Sequence, residues 1–141
     1  QLASLAERVM DLCRTYSATL MLKDEAMARR LGCGLHLGSS QLRAMHSRNF
    51  PQQQLLAASC HTRQELVHAA SIGIDFATLS PVQPTATHPQ AQPLGWKRFS
   101  AMAAEATLPL YALGGMQAGD TQQAWRSGAQ GIAAIRGLFR G

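Results

Sequence analysis

The stretch LLAASCHTRQELVHAASIGIDFATL, residues 55–79, contains one complete strand–helix–strand unit. It opens with the apolar run LLAAS and closes with the apolar run FATL, and residues 63–72 between them are predicted to form a helix. Short, continuous apolar strands joined by amphipathic helices are typical of a parallel sheet that is covered on both faces. This unit therefore predicts an α/β fold.

The same alternation extends over the whole chain. Apolar runs predict six strands, at residues 18–22, 34–37, 55–59, 76–79, 110–113 and 131–135. Helices are predicted at residues 2–16, 24–31, 41–48, 63–72, 95–106 and 119–127, and a last one is expected to begin at Leu138. The first helix places Leu5, Val9, Leu12 and Cys13 on one face.

The spacing of these units favours a TIM (β/α)8 barrel. The repeat is about 20 to 25 residues long with tight connections, and no long excursion separates two halves as in an open doubly wound sheet. Six strands are two fewer than a closed barrel has, so we expect an incomplete barrel whose first β-α-β lies outside the chain. An open or re-closed sheet is the alternative. Exposed strand edges would favour association with another chain, such as a homo-oligomer.

The composition indicates a single barrel domain, residues 1–141. Its hydrophobic content of 46% is enough for a substantial core. No apolar run approaches the roughly 20 residues needed to cross a bilayer, and no signal peptide is recognisable, so we expect no membrane association. The chain begins with Gln1 rather than Met, which suggests a fragment or a processed product.

The cysteine content indicates the cellular compartment, and the charge distribution limits the classes of partner. The three cysteines are odd in number and form no C-x-x-C pair, which argues against a disulfide framework or a zinc site and favours a reducing cytoplasm. The net charge is +5, but the basic residues are scattered and no basic stripe carries interleaved aromatics. We therefore expect no nucleic acid partner, and either a solvated basic surface or an anionic small substrate.

In such barrels the active site lies at the carboxyl ends of the strands. The residues at those ends are rich in hydroxyls, glycines and cations and poor in carboxylates, which is the pattern of an anion site. They are Lys23 and Asp24, residues 38–40, residues 59–62, residues 80–88, residues 114–116, and Arg136 with Gly137.

Two groups of these residues are candidate phosphate ligands. Gly114-Gly115 and the turn with Ile135 and Arg136 follow the last two strands, where such barrels commonly bind a phosphate. The alternative is that the glycines only turn tight loops. In the loop after the fourth strand, Thr85, Thr87 and His88 could hold a second anion, or could belong to a plain polar surface loop.

Polar residues near the third strand allow several interpretations. Ser59 and His61 need partners at a buried strand end, so they are candidate functional groups. Thr62 begins the capping-box sequence T-R-Q-E, with Glu65 expected to reach back to the Thr62 N–H. Cys60 is expected to be a buried small apolar residue rather than a nucleophile.

The remaining histidines and one carboxylate have simpler interpretations. His36 is expected to be a packed interior residue, and His46 and His68 to lie on helix surfaces. Asp24 is the one carboxylate at a strand end. It could ligate Mg²⁺ or serve as a helix N-cap.

Taken together, the motifs resemble the thiamine phosphate synthase/TenI family over essentially the whole chain. The matching segments are GLHLG (34–38), ASCHT (58–62), SIGIDFATLSPVQPTATHP (71–89), PLGW (93–96), PLYALGGM (109–116) and SGAQGIAAI (127–135). The amino-acid sequences of several of these segments are most similar to the family members that are fused behind a MutT-type Nudix domain. An upstream Nudix domain would also fit the start at Gln1.

The resemblance implies a TIM barrel that joins an aminopyrimidine methyl diphosphate to a thiazole phosphate, releasing pyrophosphate and giving thiamine phosphate. In the family's reaction, Mg²⁺ and cationic groups draw off the diphosphate, and the thiazole nitrogen captures the pyrimidine carbocation. By the resemblance, Ser59, Thr85 and Thr87 contact the diphosphate. Gly114-Gly115 and the Ile135-Arg136 turn bind the thiazole phosphate.

Several positions depart from the family's pattern. Lys23-Asp24 stands where the family usually has Asn-Asp, and Gln41 where a metal-binding Asp is expected. His88 replaces a lysine, Arg136 replaces a serine, and the strand with the Gln-x-Arg-x-Lys cluster lies outside the chain. One carboxylate is poor provision for Mg²⁺, so Lys23 is a candidate to replace part of the metal's charge.

Two alternatives to the synthase remain open. The first is a TenI-like thiazole tautomerase, because His61 matches the position of that group's catalytic histidine and a proton shuttle needs no metal. The second is a non-catalytic phosphate-binding barrel attached to a Nudix hydrolase. The fold alone does not decide between them.

Overall fold

The computed structural model describes residues 1–86 and 89–138. Its strands are β1 (Met21–Leu22), β2 (Gly34–Leu37), β3 (Leu56–Cys60), β4 (Phe76–Leu79), β5 (Leu110–Leu113) and β6 (Gly131–Ala133). The α-helices are α1 (Leu2–Thr15), α2 (Glu25–Leu31), α3 (Ser39–Ala44), α4 (Arg63–Ser71), α5 (Gly95–Glu105) and α6 (Thr121–Arg126), and a 3-10 turn, Ala118–Asp120, precedes α6.

All six strands lie in one sheet, in the order in which they occur along the chain, and every neighbouring pair is parallel. The sheet is a curled half-barrel, as the strand count and the spacing predict. Because each parallel connection must return to the same end of the sheet, every strand finishes at one rim. The carboxyl ends of six strands are thereby brought together.

The core lies between the sheet and the helices that cover it. β3 illustrates why these strands are mostly apolar: Leu56, Ala57, Ala58 and Cys60 are fully buried, and the polar Ser59 is half-buried. Phe99 from α5 is the largest of the fully buried side chains. Strands buried on both faces need no polar alternation, which is why the sequence predicts them as continuous apolar runs.

Several predicted elements differ from the structure, and the first and last strands, predicted over residues 18–22 and 131–135, are shorter. The apolar face expected on α1 is only partly right: Leu5 is 53% and Leu12 58% exposed, and Val9 and Cys13 are half-buried. The residues of α1 that meet the core include Ala6, which is buried, and Met10. Helix α3 is shorter than predicted, so His46 lies in the exposed loop after it. Leu138 lies in a turn, and the rest of the helix expected there falls outside the described residues.

Local caps explain where the helices begin. The Asp24 carboxylate accepts a hydrogen bond from the Met27 N–H at 2.7 Å, which starts α2. The Thr62 hydroxyl accepts one from the Glu65 N–H at 3.2 Å, which starts α4. The Glu65 carboxylate, however, accepts from the His61 N–H at 2.7 Å rather than from Thr62 as predicted. It reaches one residue further back and ties α4 to the end of β3.

Candidate functional site

A cavity of ≈ 1520 Å³ lies at the rim where the strands end. That volume is large enough for two small phosphorylated molecules. The predicted site residues that line it are Lys23, Ser59, His61, Thr85, Gly114, Gly115, Ile135 and Arg136. Thr87 and His88 lie outside the described residues, and Asp24 is not part of the lining. The structure therefore gathers residues from β1, β3, β4, β5 and β6 around one space.

The lining of this cavity carries positive charge. Its described residues include Lys23, Arg98 and Arg136 and no carboxylate. Six of the chain's eight acidic residues are ion-paired with arginines elsewhere. The other two, Asp24 and Asp120, accept backbone N–H bonds at helix starts. Because the acidic side chains form ion pairs or helix caps, none of them neutralises these three cations, and part of the chain's excess positive charge lies at the rim.

Arg98 was not predicted from the sequence to belong to the site. It lies in the first turn of α5, the helix that follows the long loop after β4. The first turn of a helix that leaves the rim lies near the strand ends, so one side of that turn faces the same space. That position was visible in the sequence, but it did not distinguish Arg98 from its neighbour Lys97, which does not line the cavity.

His61 is held by the end of β4. Its Nδ1 lies 2.9 Å from the Ser80 carbonyl oxygen and 3.2 Å from the Ser80 hydroxyl. A carbonyl oxygen can only accept, so Nδ1 carries the proton and donates it. The neutral ring then has its lone pair on Nε2, and the residue is solvent-exposed at the cavity. This arrangement leaves one nitrogen able to take up a proton.

His36 pairs with Ser59 across β2 and β3. The His36 Nε2 and the Ser59 Oγ are 2.9 Å apart. Burial, and secondarily the positive charge of Lys23, lower the pKa of His36. His36 is thus a half-buried, hydrogen-bonded residue that stays neutral at pH 7, and it connects Lys23 and Ser59 in one cluster.

The lowered pKa of His36 makes the stability of the fold depend on pH. The unfolded chain binds the proton first, so as the pH falls below about 6.5 the folded state loses stability until His36 itself becomes protonated. We expect His36→Asn to lose less free energy of unfolding than the wild type between pH 7.5 and pH 5, measured by denaturant titration. His46→Asn, at an exposed histidine, should retain the wild-type dependence. Parallel profiles for the wild type and His36→Asn would contradict this assignment.

Gly114 and Gly115 join two loops of the rim. Both have positive φ, +102° and +67°. A Cβ on Gly114 would lie 2.7 Å from the Pro81 Cα, and one on Gly115 would lie 2.7 Å from the Pro84 carbonyl oxygen. The backbone also pairs here, since the Val82 N–H donates to Leu113 and the Gln83 N–H to Gly114. The glycines therefore hold the loop after β4 against the loop after β5, in addition to lining the cavity.

The loop after β6 closes the same rim. A Cβ on Gly137 would collide with the Met116 carbonyl oxygen, so this loop packs directly on the one after β5. Ile135 is 68% exposed at the cavity, a position that packing alone does not explain. The first group of candidate phosphate ligands (Gly114, Gly115, Ile135 and Arg136) and Thr85 of the second group thus line one cavity.

The residues matching the family's metal positions do not provide a magnesium site. Asp24 caps α2, and the Gln41 amide oxygen accepts the Gly38 N–H at 2.8 Å. Within residues 1–86 and 89–138, no three His, Cys, Asp or Glu side chains cluster in a way that could hold a metal ion. Mg²⁺ prefers carboxylates that are free to coordinate it. The described residues therefore do not fit this ion.

Two residues near the site have structural roles. Burial raises the pKa of the Cys60 thiol to about 12, so it is not a nucleophile at neutral pH. His68 is not on the open surface as predicted: its Nε2 lies 3.1 and 2.9 Å from the carbonyl oxygens of Leu42 and Met45. These carbonyls are at the end of α3, so His68 ties α4 to that helix end.

In the part of the chain that the structure describes, no helix combines the length and the apolar character needed to span a membrane.

Known proteins resemble this chain in sequence and in fold. Residues 1–138 match the family described as "Thiamine monophosphate synthase". The thiamine-phosphate synthase of Thermus thermophilus is 31% identical over 96% of this chain and 67% of its own length. That of Streptococcus suis is 29% identical over 95% of this chain and 60% of its own length.

A solved structure agrees with these sequence relatives. The thiamine phosphate pyrophosphorylase from Pyrococcus furiosus superposes with a TM-score of 0.76 at 20% identity, over 94% of this chain and 65% of that protein. At this identity the similarity shows the fold. The chain spans about two thirds of the length of such relatives. On the match of residues 1–138, the chain belongs to the thiamine monophosphate synthase family.

Proposed function

We propose that the chain is a thiamine phosphate synthase-like transferase, which joins an aminopyrimidine methyl diphosphate to a thiazole phosphate and releases pyrophosphate. The observation that carries this proposal is the cavity at the strand ends, which holds Lys23, Arg98 and Arg136 and no described carboxylate. The names of the relatives from Thermus thermophilus and Streptococcus suis support the same reaction. A cavity of this charge suits two phosphorylated substrates.

In the proposed reaction the C–O bond to the diphosphate breaks and the diphosphate leaves with the electron pair. The thiazole nitrogen then donates its lone pair to the pyrimidine methylene carbon. The protein's main task is to stabilise the departing anion. Lys23 supplies a fixed positive charge. Ser59 supplies a hydroxyl hydrogen when His36 carries its own proton on Nε2 and donates it to the Ser59 Oγ.

The remaining predicted residues divide between the two anions. Thr85, Thr87 and His88 are proposed to contact the diphosphate from the loop after β4. Gly114, Gly115, Ile135 and Arg136 are proposed to hold the thiazole phosphate through backbone N–H groups and the Arg136 guanidinium. We derive no role for Mg²⁺, because Asp24 and Gln41 are both used as helix caps.

The direct test supplies both substrates and quantifies thiamine phosphate and pyrophosphate. We expect the two products in equal amounts. Arg136→Gln should raise the KM for thiazole phosphate about tenfold, because one charge-assisted hydrogen bond is lost. Arg126→Gln is the matched control: Arg126 is exposed on α6 and does not line the cavity. A folded chain that forms no thiamine phosphate would contradict the transferase.

A second candidate is a TenI-like thiazole tautomerase. It is favoured by the bond between the His61 Nδ1 and the Ser80 carbonyl oxygen, which leaves Nε2 as a proton acceptor. Proton exchange on the thiazole, lost in His61→Ala while synthase activity is absent from the wild type, would favour this reaction. Thiazole phosphate binding with neither reaction would favour a non-catalytic barrel.

The wider context is proposed from the sequence alone. Residues 1–141 are a single barrel domain of a cytoplasmic protein, preceded in the full protein by a MutT-type Nudix domain, as the ASCHT and PTATHP motifs suggest. The open sheet edges favour a homo-oligomer. No nucleic acid partner is proposed, because the basic residues form no stripe with interleaved aromatics.

A further inference from the structure

The two positions where the family usually has metal-binding residues, Asp24 and Gln41, form hydrogen bonds at helix starts. The Asp24 carboxylate accepts the Met27 N–H at 2.7 Å, and the Gln41 amide oxygen accepts the Gly38 N–H at 2.8 Å. Only the second oxygen of the Asp24 carboxylate is left outside these two caps, and one carboxylate oxygen is poor provision for Mg²⁺. Each such cap stabilises its helix because it satisfies a backbone N–H that has no partner within the helix. The described residues at these two positions therefore do not provide the set of oxygen ligands that Mg²⁺ prefers.

Positively charged side chains line the cavity at the strand ends. Lys23, Arg98 and Arg136 line the cavity, and none of them forms an ion pair with a described carboxylate. They come from the ends of β1 and β6 and from the start of α5, so they approach from different sides. Lys23 lines the same cavity as Ser59, and its positive charge adds to burial in lowering the pKa of His36, the hydrogen-bond partner of Ser59.

We propose that this cavity binds the diphosphate as a metal-free anion, with Lys23 and Arg98 in the place of Mg²⁺. The inference rests on the proposed function and adds Arg98 as a diphosphate ligand. An arginine presents several N–H donors in a planar fork and stays charged at all working pH values, so it can neutralise an oxyanion without a metal.

The test titrates pyrophosphate into the 141-residue chain by calorimetry, once with EDTA and once with excess Mg²⁺. We expect binding in EDTA, and equal or weaker binding with Mg²⁺, because the metal neutralises part of the ligand's charge. Raising the salt concentration should weaken the binding further, since it screens fixed charges. Binding that requires Mg²⁺ would overturn this inference and leave the proposed function standing. Absence of pyrophosphate binding in both conditions would overturn both.

Two neighbouring residues make a matched pair of variants. We expect Arg98→Gln to weaken pyrophosphate binding in EDTA about tenfold, as for the loss of one charged hydrogen bond. Lys97→Gln removes the same charge from the next position on α5, which does not line the cavity, and should change the affinity less than about twofold. Equal losses for the two variants would show that only the net charge matters and would overturn the assignment of Arg98.

Discussion

Arg48→Ala is expected to lower the free energy of unfolding by about 3 kcal/mol. The Arg48 side chain is only 7% exposed and pairs with Asp75 at 3.1 Å. It also donates to the carbonyl oxygens of Gly73 and Gln54, at 2.6 and 2.8 Å. The Asp75 carboxylate in turn accepts the Leu56 N–H at 2.7 Å, so the pair fixes the starts of β3 and β4. Removing Arg48 leaves Asp75 without its ion-pair partner and the carbonyl oxygens of Gly73 and Gln54 without the Arg48 donor.

Denaturant titration at pH 7 measures this effect, with Arg63→Ala as the control. Arg63 pairs with Glu105 at 2.8 Å, but both side chains are more than half exposed, at 55% and 59%. Such a surface pair contributes about 0–1 kcal/mol. Equal destabilisation by the two variants would show that Arg48 is not a structural centre of the fold.

Gly114→Ala is expected to destabilise the fold by about 2 kcal/mol and to weaken thiazole phosphate binding at least tenfold. Its φ of +102° is unfavourable for alanine, and the new Cβ would meet the Pro81 backbone at 2.7 Å. The loop after β4 would have to move away from the loop after β5. Since both loops line the cavity, the movement should affect binding as well as stability.

Variants at two other glycines separate the effect of the steric contact from that of the positive φ. Gly119→Ala, at a position with no atom within 4 Å and no positive φ, should change stability by less than about 1 kcal/mol. Gly32→Ala has the positive φ, +67°, but also open space, so it measures the backbone cost alone. Calorimetry with thiazole phosphate should show normal affinity for both controls. Normal affinity in Gly114→Ala as well would mean that the contact between the loops does not shape the site.

Features that depend on neighbours along the chain were predicted from the sequence. The six strands, their parallel order and the caps at Asp24 and Thr62 follow from apolar runs, tight connections and residues within one helical turn of each other. The burial of Cys60 follows equally from its place inside an apolar run. The strands, the caps and the burial of Cys60 are decided by a few consecutive residues, whereas the parallel order follows from the alternation of strands and helices along the chain.

Partnerships between distant residues were not predictable in the same way. Ser59 and His61 were known to need partners, but the sequence did not indicate that these would be His36 and Ser80, 23 and 19 residues away. His68 is expected on the surface of its predicted helix, but the structure gives it partners. Its partners are carbonyl oxygens at the end of another helix. Such pairs depend on which elements become neighbours.

The sequence by itself determined a parallel α/β sheet, because hydrophobic periodicity and helix caps are local properties of the chain, and it placed hydroxyls, glycines and cations at the strand ends. Only the tertiary structure decided which charges belong to that site. It engaged all eight acidic residues in ion pairs or helix caps and left Lys23, Arg98 and Arg136 around one cavity. The physical reason is that electrostatic interactions depend on distances in space. Lys23, Arg98 and Arg136 are far apart in the sequence, so only the fold brings them together.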